Sequence, residues 1–288
     1  MSAEISYDRK AEDVGNIIKL EHVNLTVPDQ RLATIFYVSG LGLTRDPYLM
    51  TGVDNMWINA GDSQFHLPTS PPQIFRGCVG LVIPDRGALI SRLSSVRDLL
   101  TGSRFDFAEH DDHVEAVCPW GNRIRCHGPD PARFGAITLG IPYVEFQVPR
   151  ESATAIAEFY GEVFMAPGQV THAGGELMAV IAVGANQELR FRETGAPLAS
   201  YDGHHIQIYV ANFSRPYGCL KERGLITEES DQHQYRFLHI VNLRDNAIKF
   251  TIEHEIRSIR HPLYARPLVN RNPSQSNRSY LPGHDALL

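Results

Sequence analysis

The C-terminal half of the chain carries two residue types that together can bind a metal ion. His205 lies in the segment His204–Val210 and Glu253 in the segment Ile248–Glu255, and both segments alternate apolar and polar residues as half-buried strands do. A neutral imidazole and a carboxylate are two of the three ligands in the facial set that suits Fe(II) and leaves positions open for substrate and dioxygen. The alternative for each residue is an ordinary structural position in a strand.

Other side chains in the same half suit proton transfer or anion binding. His233, Tyr235 and His239 lie in the strand-like segment before that of Glu253, and they are candidates for acid–base catalysis because imidazole titrates near neutral pH. Arg190 and Arg192 stay protonated, which excludes them as bases but lets them bind a substrate carboxylate through paired hydrogen bonds. A structural role is the alternative for all of them, and burial would explain His239 equally well.

The composition is that of an ordinary globular protein. The chain has 288 residues, of which 43% are hydrophobic and 21% charged, enough for one or two domains. A formal net charge of −6 argues against nucleic acid as the main partner, and no apolar run approaches the roughly 18 residues of a membrane span. The polar N-terminus is not a secretory signal, and the four cysteines form no CxxC pair, so we expect a cytoplasmic protein with reduced thiols.

A pattern that occurs four times indicates the fold. Each repeat predicts a strand, a helix and then two or three further strands, over roughly 50 to 65 residues. The first strands of the four units are Leu20–Pro28, Gly77–Pro84, Ile141–Pro149 and His204–Val210. One such unit cannot cover both faces of its sheet, so the units must pair. We predict an α+β fold in which the first unit pairs with the second and the third with the fourth.

The expected domain boundaries follow from that pairing. Residues 1–18 would form an N-terminal extension, 19–130 the first paired domain, 138–258 the second and 259–288 an extended tail. The Gly- and Pro-containing stretch between Gly128 and Ala136 has the composition of a linker. Prolines favour an extended course for the tail, either as a strap over the domains or as a lid that brings Arg266 or Arg271 to a substrate.

Two short strings in the repeats resemble a known superfamily. Phe36–Leu43 (FYVSGLGL) and Ala157–Phe164 (AEFYGEVF) resemble the end of the first helix in the glyoxalase, bleomycin-resistance and extradiol-dioxygenase proteins, the vicinal-oxygen-chelate superfamily. The resemblance covers about residues 19–258. It implies four βαβββ units paired into two glyoxalase-like domains with cupped sheets. It also implies a divalent metal in a cup, bound by the first and last strands of the units, that chelates two neighbouring oxygens of a substrate.

The resemblance implies a metal site in the second domain. His205 and Glu253 stand at two ligand positions, whereas Tyr143 stands where the ring-cleaving members have a histidine. Glu145 shares the strand face of Tyr143, and we prefer it as the third metal ligand. The residues assigned to substrate binding are Tyr143, Arg190, Arg192 and Tyr209.

Two details of this assignment leave alternatives open. A shift of one residue in strand phase would bring His204 or His254 into the site, and Glu255 shares the strand face of the predicted glutamate ligand. The first domain has His22 at one ligand position but Gly80 at the other. We therefore expect the first domain to be degenerate and to support the second domain or a dimer contact.

Three functions are compatible with the resemblance. The first is a metal-dependent enzyme that acts on a small substrate with neighbouring oxygens, aromatic in the case of extradiol ring-cleavage dioxygenases, with Fe(II) as the metal. The second is a glyoxalase-like lyase, isomerase or hydrolase with Mn, Zn or Ni. The third is a metal-free small-molecule-binding protein of the resistance type, whose cup would bind its ligand by apolar packing. A small molecule is the expected partner in each case, and a homodimer is expected only by analogy.

Overall fold

The computed structural model describes residue 9 and residues 13–49, 52–272 and 274–284. Most of the predicted N-terminal extension and the end of the predicted tail therefore lie outside the described residues. The four predicted units are present, each with one strand, one helix and three further strands. This order confirms the βαβββ repeat.

The first two units occupy the N-terminal half. The first unit contains β1 (Ile17–Asn24), α1 (Gln30–Ala33), which continues as a π-helix (Thr34–Gly40), β2 (Thr44–Arg45), β3 (Asn55–Ala60) and β4 (Ser63–Pro68). The second unit contains β5 (Gly77–Val82), α2 (Arg86–Val96), a 3₁₀ turn (Asp98–Leu100), β6 (Asp106–Glu109), β7 (Val114–Val117) and β8 (Arg123–His127). Asp29 and Asp85 begin the helices of these units, because each carboxylate accepts a hydrogen bond from a free backbone N–H of the first turn.

The last two units follow a short linker helix, α3 (Pro131–Phe134). The third unit contains β9 (Tyr143–Pro149), α4 (Ala153–Phe164), β10 (Gly168–Ala173), β11 (Glu176–Ala182) and β12 (Glu188–Thr194). The fourth unit contains β13 (His205–Val210), α5 (Ser214–Glu222), β14 (Ile226–Asp231), β15 (Gln234–Val241) and β16 (Ile248–Ser258).

The units pair differently from the expected order. The first sheet has the strand order β14-β15-β16-β13-β1-β4-β3-β2, so it joins the fourth unit to the first. The second sheet has the order β10-β11-β12-β9-β5-β8-β7-β6 and joins the third unit to the second. Residues 19–130 and 138–258 are thus not the two paired domains. The first strand of every unit offers the same free edge, and neighbours in sequence are only the usual choice of partner for such an edge.

Side chains from strands two positions apart meet on one face of the first sheet. Trp57 on β3 and His22 on β1 have ring centroids 5.0 Å apart although β4 lies between their strands. Arg257 on β16 likewise comes within 3.6 Å of Glu21 on β1 across β13. Strands in this relation lie roughly 9 to 10 Å apart, so these long side chains lean toward each other over the strand between them. We call the face that carries these four side chains the first cup, and the corresponding face of the second sheet the second cup.

The opposite faces of both sheets share one hydrophobic core with the helices. Phe146 of β9 packs against Phe250 of β16, with ring centroids 5.6 Å apart, and thus connects the two sheets. Tyr160 of α4 hydrogen-bonds His254 of β16 at 2.5 Å in the same core. His204 is also buried on this side, against Phe75. His204 and His254 therefore point away from the first cup, which supports the strand phase preferred for His205.

Two further expectations concern the cysteines and membranes. All four cysteines are free thiols. Among the described residues, no helix combines the length and the apolar character that a membrane crossing requires.

Candidate metal centre

Three ligand-type side chains meet in the first cup. His22 comes from β1, His205 from β13 and Glu255 from β16, and one ligand atom of each lies within 4.8 Å of the other two. His22, His205 and Glu255 are only 1%, 7% and 3% exposed to solvent, respectively. Among the described residues, this is the only group of three or more histidine, cysteine or acidic side chains with such spacing.

The strand register explains why the two histidines meet. β1 and β13 are antiparallel, with His22 opposite Gln207 and Asn24 opposite His205. Cross-strand neighbours share a sheet face, so the histidines lie on one diagonal, with ring centroids 5.9 Å apart. Glu255 pairs with Gln207 on the other side of β13 and thereby reaches the same point.

The donor atoms of this cluster fit a divalent metal ion. Nε2 of His22 and Nε2 of His205 are buried and have no hydrogen-bond partner, and unpartnered buried polar atoms are uncommon in folded proteins. Burial, followed by the charge of nearby Arg257, lowers the pKa of His22 well below its usual value. Burial, followed by His22 and Arg236, does the same to the pKa of His205. Both imidazoles are therefore neutral, which is the form that binds a metal.

Two arginines hold the carboxylate of the cluster. Oε2 of Glu255 lies 2.5 Å from Nη2 of Arg236, and its Oε1 lies 2.6 Å from Nη2 of Arg257. Burial raises the pKa of Glu255, whereas the two guanidinium groups oppose this shift. Each carboxylate oxygen has a second lone pair, so the arginines leave room for a further bond.

The predicted ligand Glu253 lies at the edge of the same cluster. Its Oε1 lies 3.4 Å from Nδ1 of His205 and 2.5 Å from Nη1 of Arg236. Glu253 and Glu255 are two residues apart on β16 and therefore share a face. Only Glu255 of the two belongs to the group of converging ligand atoms.

A bulge in β1 brings an additional carboxylate next to His22. Leu20 pairs with Ile208 and His22 with Gln207, so Glu21 is an extra residue in the register. Its Oε2 lies 2.7 Å from Nδ1 of His22. Burial raises the pKa of Glu21, and Arg257 opposes the rise.

The remaining wall of the first cup is polar and aromatic. His66 of β4 stacks on Trp57, with ring centroids 3.8 Å apart, and burial lowers the pKa of His66 to about 2. Oδ1 of Asn24, both ends of the Gln207 amide and the hydroxyl of Tyr209 are buried without a hydrogen-bond partner. Burial raises the pKa of Tyr209 to about 12, so its hydroxyl stays protonated at neutral pH. Tyr209, predicted to bind substrate, thus shares the strand face of His205.

The tail crosses the first cup as a strap. Tyr264 packs edge-on against Tyr209, with ring centroids 5.0 Å apart. Further along, Nη2 of Arg266 lies 2.7 Å from the Asp46 carboxylate and 3.2 Å from the Gln64 amide oxygen. Gln64 pairs with His22 across β4 and β1, so Arg266 contacts the residue beside a candidate ligand.

The predicted ligand Glu145 lies in the other sheet. Both of its oxygens are bound by Arg192 at 3.1 and 3.2 Å, and Arg125 lies 3.5 Å away. Glu145 belongs to β9 of the second sheet, whereas His205 belongs to β13 of the first. The structure therefore separates the expected third ligand from the other two.

In the second cup, Tyr143 is enclosed by other side chains and by Gly80. Its hydroxyl bonds Nε2 of His127 at 2.9 Å, and Arg190 lies over its ring at 3.9 Å from the centroid. A Cβ added to Gly80 would lie 2.4 Å from the same ring, so only glycine leaves room for it. Arg190 is also paired with Glu188 at 2.7 Å. The residues predicted to bind substrate from this sheet thus have partners within the second sheet, whereas His205 belongs to the first.

The three candidates for acid–base catalysis lie on different sides of β15. Tyr235 is buried on the helix side against Phe213 and Tyr217, with its hydroxyl unpartnered. His233 lies in the turn before β15, with Nδ1 3.5 Å from the hydroxyl of Ser258. His239 pairs with Thr251, and Thr251 is two residues from Glu253 on β16, so it lies on the same face. Of the three candidates, His239 alone therefore lies on the first-cup face of β15.

Several residues of the cluster were not predicted as ligands or partners. His22 had a usable signal, since it occupies the same position in its repeat as His205 does. Glu255 was recognised only as a neighbour of Glu253 on the same face. Nothing in the sequence indicated that Glu21 would lie beside a ligand, because a bulge changes the strand alternation locally.

The fold is similar to that of two solved structures, a glyoxalase I and a putative dioxygenase. Glyoxalase I from Zea mays is 10% identical, with a TM-score of 0.56 over 83% of this chain and 92% of that chain. A putative dioxygenase from Bacillus subtilis subsp. subtilis str. 168 is 12% identical, with a TM-score of 0.54 over 85% of this chain and 86% of that one. No family model matches the sequence, and no curated protein matches it. These likenesses confirm that the chain has the vicinal-oxygen-chelate fold, with four βαβββ units in two paired sheets.

Proposed function

We propose that the first cup binds a divalent metal ion through His22, His205 and Glu255, and that the protein is a metal-dependent enzyme. The substrate would be a small molecule whose neighbouring oxygens chelate the ion. The observation that carries this proposal is the pair of buried, neutral imidazoles whose Nε2 atoms lack a partner beside a buried carboxylate. The similarity to glyoxalase I and to a dioxygenase supports it at the level of the fold.

The bound ion and the side chains around it would have different roles in the reaction. A bound ion would supply Lewis-acid polarisation of the chelated oxygens or activation of dioxygen. Asn24 and Gln207 lie opposite the two histidines and offer unpartnered amide groups to a substrate's polar atoms. Tyr209 offers a protonated hydroxyl as a hydrogen-bond donor. The burial of these groups excludes water from the reacting atoms.

An extradiol-type dioxygenase with Fe(II) is the first candidate. Two imidazoles and one carboxylate form the facial set that leaves positions open for substrate and dioxygen. His205 retains its predicted role as a ligand in this proposal, and His22 and Glu255 replace Glu145 and Glu253. His239 is the candidate for proton transfer on the first-cup face.

A lyase, isomerase or hydrolase with Mn, Zn or Ni is the second candidate. His66 pairs with Asn24 across β4 and β1 in the way that Glu255 pairs with Gln207 across β16 and β13. Its ring lies 5.7 Å from that of His22. Nε2 of His66 is bonded to Oδ1 of Asn55 at 2.7 Å, and if it turned toward the cluster the set would have four ligands, two from each unit, and would leave the metal fewer open positions.

Metal titration of anaerobically purified protein tests the site. We expect the unaltered protein to bind one equivalent of Fe²⁺ or Mn²⁺, and His22→Ala and His205→Ala to lose binding. Glu145→Gln is the control, since Glu145 is also a buried carboxylate beside arginines but lies in the second sheet. Retention of metal by both histidine variants would refute the site. Absence of metal in the unaltered protein would favour the metal-free binding protein.

Oxygen uptake with catechols separates the two enzyme candidates. Catechol-dependent uptake that is lost in His205→Ala supports the dioxygenase. Metal binding without uptake supports the second candidate.

A further inference from the structure

The bulge in β1 places two consecutive residues on the same side of the sheet. In a regular strand Glu21 and His22 would point to opposite faces. Here the register advances by two residues on β1, from Leu20 to His22, and by only one on β13. Both side chains consequently enter the first cup, where Glu21 is 3% and His22 1% exposed.

The contact between these two residues determines which ring nitrogen of His22 is free. Oε2 of Glu21 lies 2.7 Å from Nδ1 of His22. A carboxylate can only accept a hydrogen bond, so Nδ1–H of His22 donates to it. Nε2 is then the unprotonated nitrogen, and it is buried without a hydrogen-bond partner. Nη1 of Arg257 lies 3.6 Å from the same oxygen of Glu21.

We propose that Glu21 is a positioning residue that fixes the tautomer and the ring orientation of His22, so that Nε2 is presented to the metal ion. This inference rests on the proposed function, because it requires His22 to be a ligand. A carboxylate bonded to the distal nitrogen of a ligand histidine also raises the basicity of the nitrogen that binds the metal. The other ligand histidine has a weaker counterpart, since Glu253 lies 3.4 Å from Nδ1 of His205 and is shared with Arg236.

Two measurements on Glu21 variants test this role. Calorimetric titration with Mn²⁺ gives the metal affinity, and we expect Glu21→Ala to weaken it by roughly 10- to 100-fold. Glu21→Gln keeps an amide oxygen that can accept from Nδ1–H, so it should recover part of that loss. Long-range ¹H–¹⁵N spectra of the metal-free protein show which nitrogen carries the proton. We expect Nδ1–H for His22 in the unaltered protein and a mixture of tautomers in Glu21→Ala.

Glu193→Ala is the control for a merely structural effect. Glu193 is also a buried carboxylate, 6% exposed, but it accepts hydrogen bonds from the backbone N–H groups of Ser152 and Ala153 at the start of α4. Its variant should lose stability while keeping the Mn²⁺ affinity and the His22 tautomer.

The outcomes separate this inference from the proposed function. Mn²⁺ affinity unchanged in Glu21→Ala, or a proton on Nε2 of His22 in the unaltered protein, would overturn the role of Glu21. If the unaltered protein binds no Mn²⁺, the proposed function fails. The tautomer spectra would then decide on their own whether Glu21 orients His22.

Discussion

Arg236 is a cation of the protein itself that competes with a metal ion for the carboxylate of the cluster. Its guanidinium bonds Glu253 through Nη1 and Glu255 through Nη2, both at 2.5 Å. An ion bound between His22, His205 and Glu255 would share the oxygen that Arg236 now holds. Arg236→Gln should therefore have opposite effects on the stability of the metal-free protein and on the affinity for metal.

The magnitudes follow from the burial of the groups involved. The side chain of Glu255 is 3% exposed, so losing one of its two arginines should lower the free energy of unfolding by about 1 to 3 kcal/mol. Hydrogen bonds to charged groups contribute roughly 1.5–3 kcal/mol. Since 1.4 kcal/mol corresponds to a tenfold change in affinity, the dissociation constant for Mn²⁺ should fall by roughly 10- to 100-fold.

Urea unfolding and calorimetric titration measure the two effects on the same samples. The matched control is Arg192→Gln, because Arg192 also binds a buried carboxylate, that of Glu145 in the second cup, at 3.1 and 3.2 Å. The control should lose stability and leave the Mn²⁺ affinity unchanged. Weaker Mn²⁺ binding by Arg236→Gln would show that Arg236 supports the metal site instead of competing with it, and would refute the reasoning.

Two further predictions concern the second cup. In Gly80→Ala the new Cβ would lie 2.4 Å from the Tyr143 ring, so we expect urea unfolding to show a free energy of unfolding that is lower by about 1 to 3 kcal/mol. A Tyr143→Leu change in the same chain should restore part of this loss. Equal stability of Gly80→Ala and the unaltered protein would contradict this packing. Burial lowers the pKa of His127 from 6.5 to about 4. Between these pH values the His127 side chain is therefore protonated in the unfolded chain and neutral in the folded protein. As the pH falls from 6.5 toward 4, the free energy of unfolding should therefore decrease, by up to ~1.4 kcal/mol per pH unit. In His127→Gln the free energy of unfolding should depend less on pH in this range. An identical pH dependence would show that His127 titrates alike in both states.

The secondary structure could be predicted from the sequence because local signals determine it. Asp29 and Asp85 stand where helices begin, and alternation of apolar residues gives the strands and their faces. That alternation also placed His205 correctly in the first cup and Ile206 and Ile208 in the core. Such signals depend on residues a few positions apart, which the sequence displays directly.

The site could be predicted only in part because it depends on contacts between distant segments. The pairing of the first unit with the fourth is decided by the edges of four similar strands, and no short motif distinguishes these edges. Without that pairing, His22 has no reason to be near His205. The choice between Glu253 and Glu255 depends on which of them lies level with His22 across β13, and the position of Glu21 depends on a bulge.

The seam between β1 and β13 has a consequence for the order of assembly. It joins Ile17–Asn24 to His205–Val210, and the entire second sheet lies between them in sequence. The second and third units are adjacent in the chain, so their sheet can form from local contacts while synthesis continues. Closing the longer loop costs more entropy, and such distant pairings are slow to form. Until β16 has been synthesised, His22 lacks the other residues of the proposed metal site, so we expect that site to form late in folding.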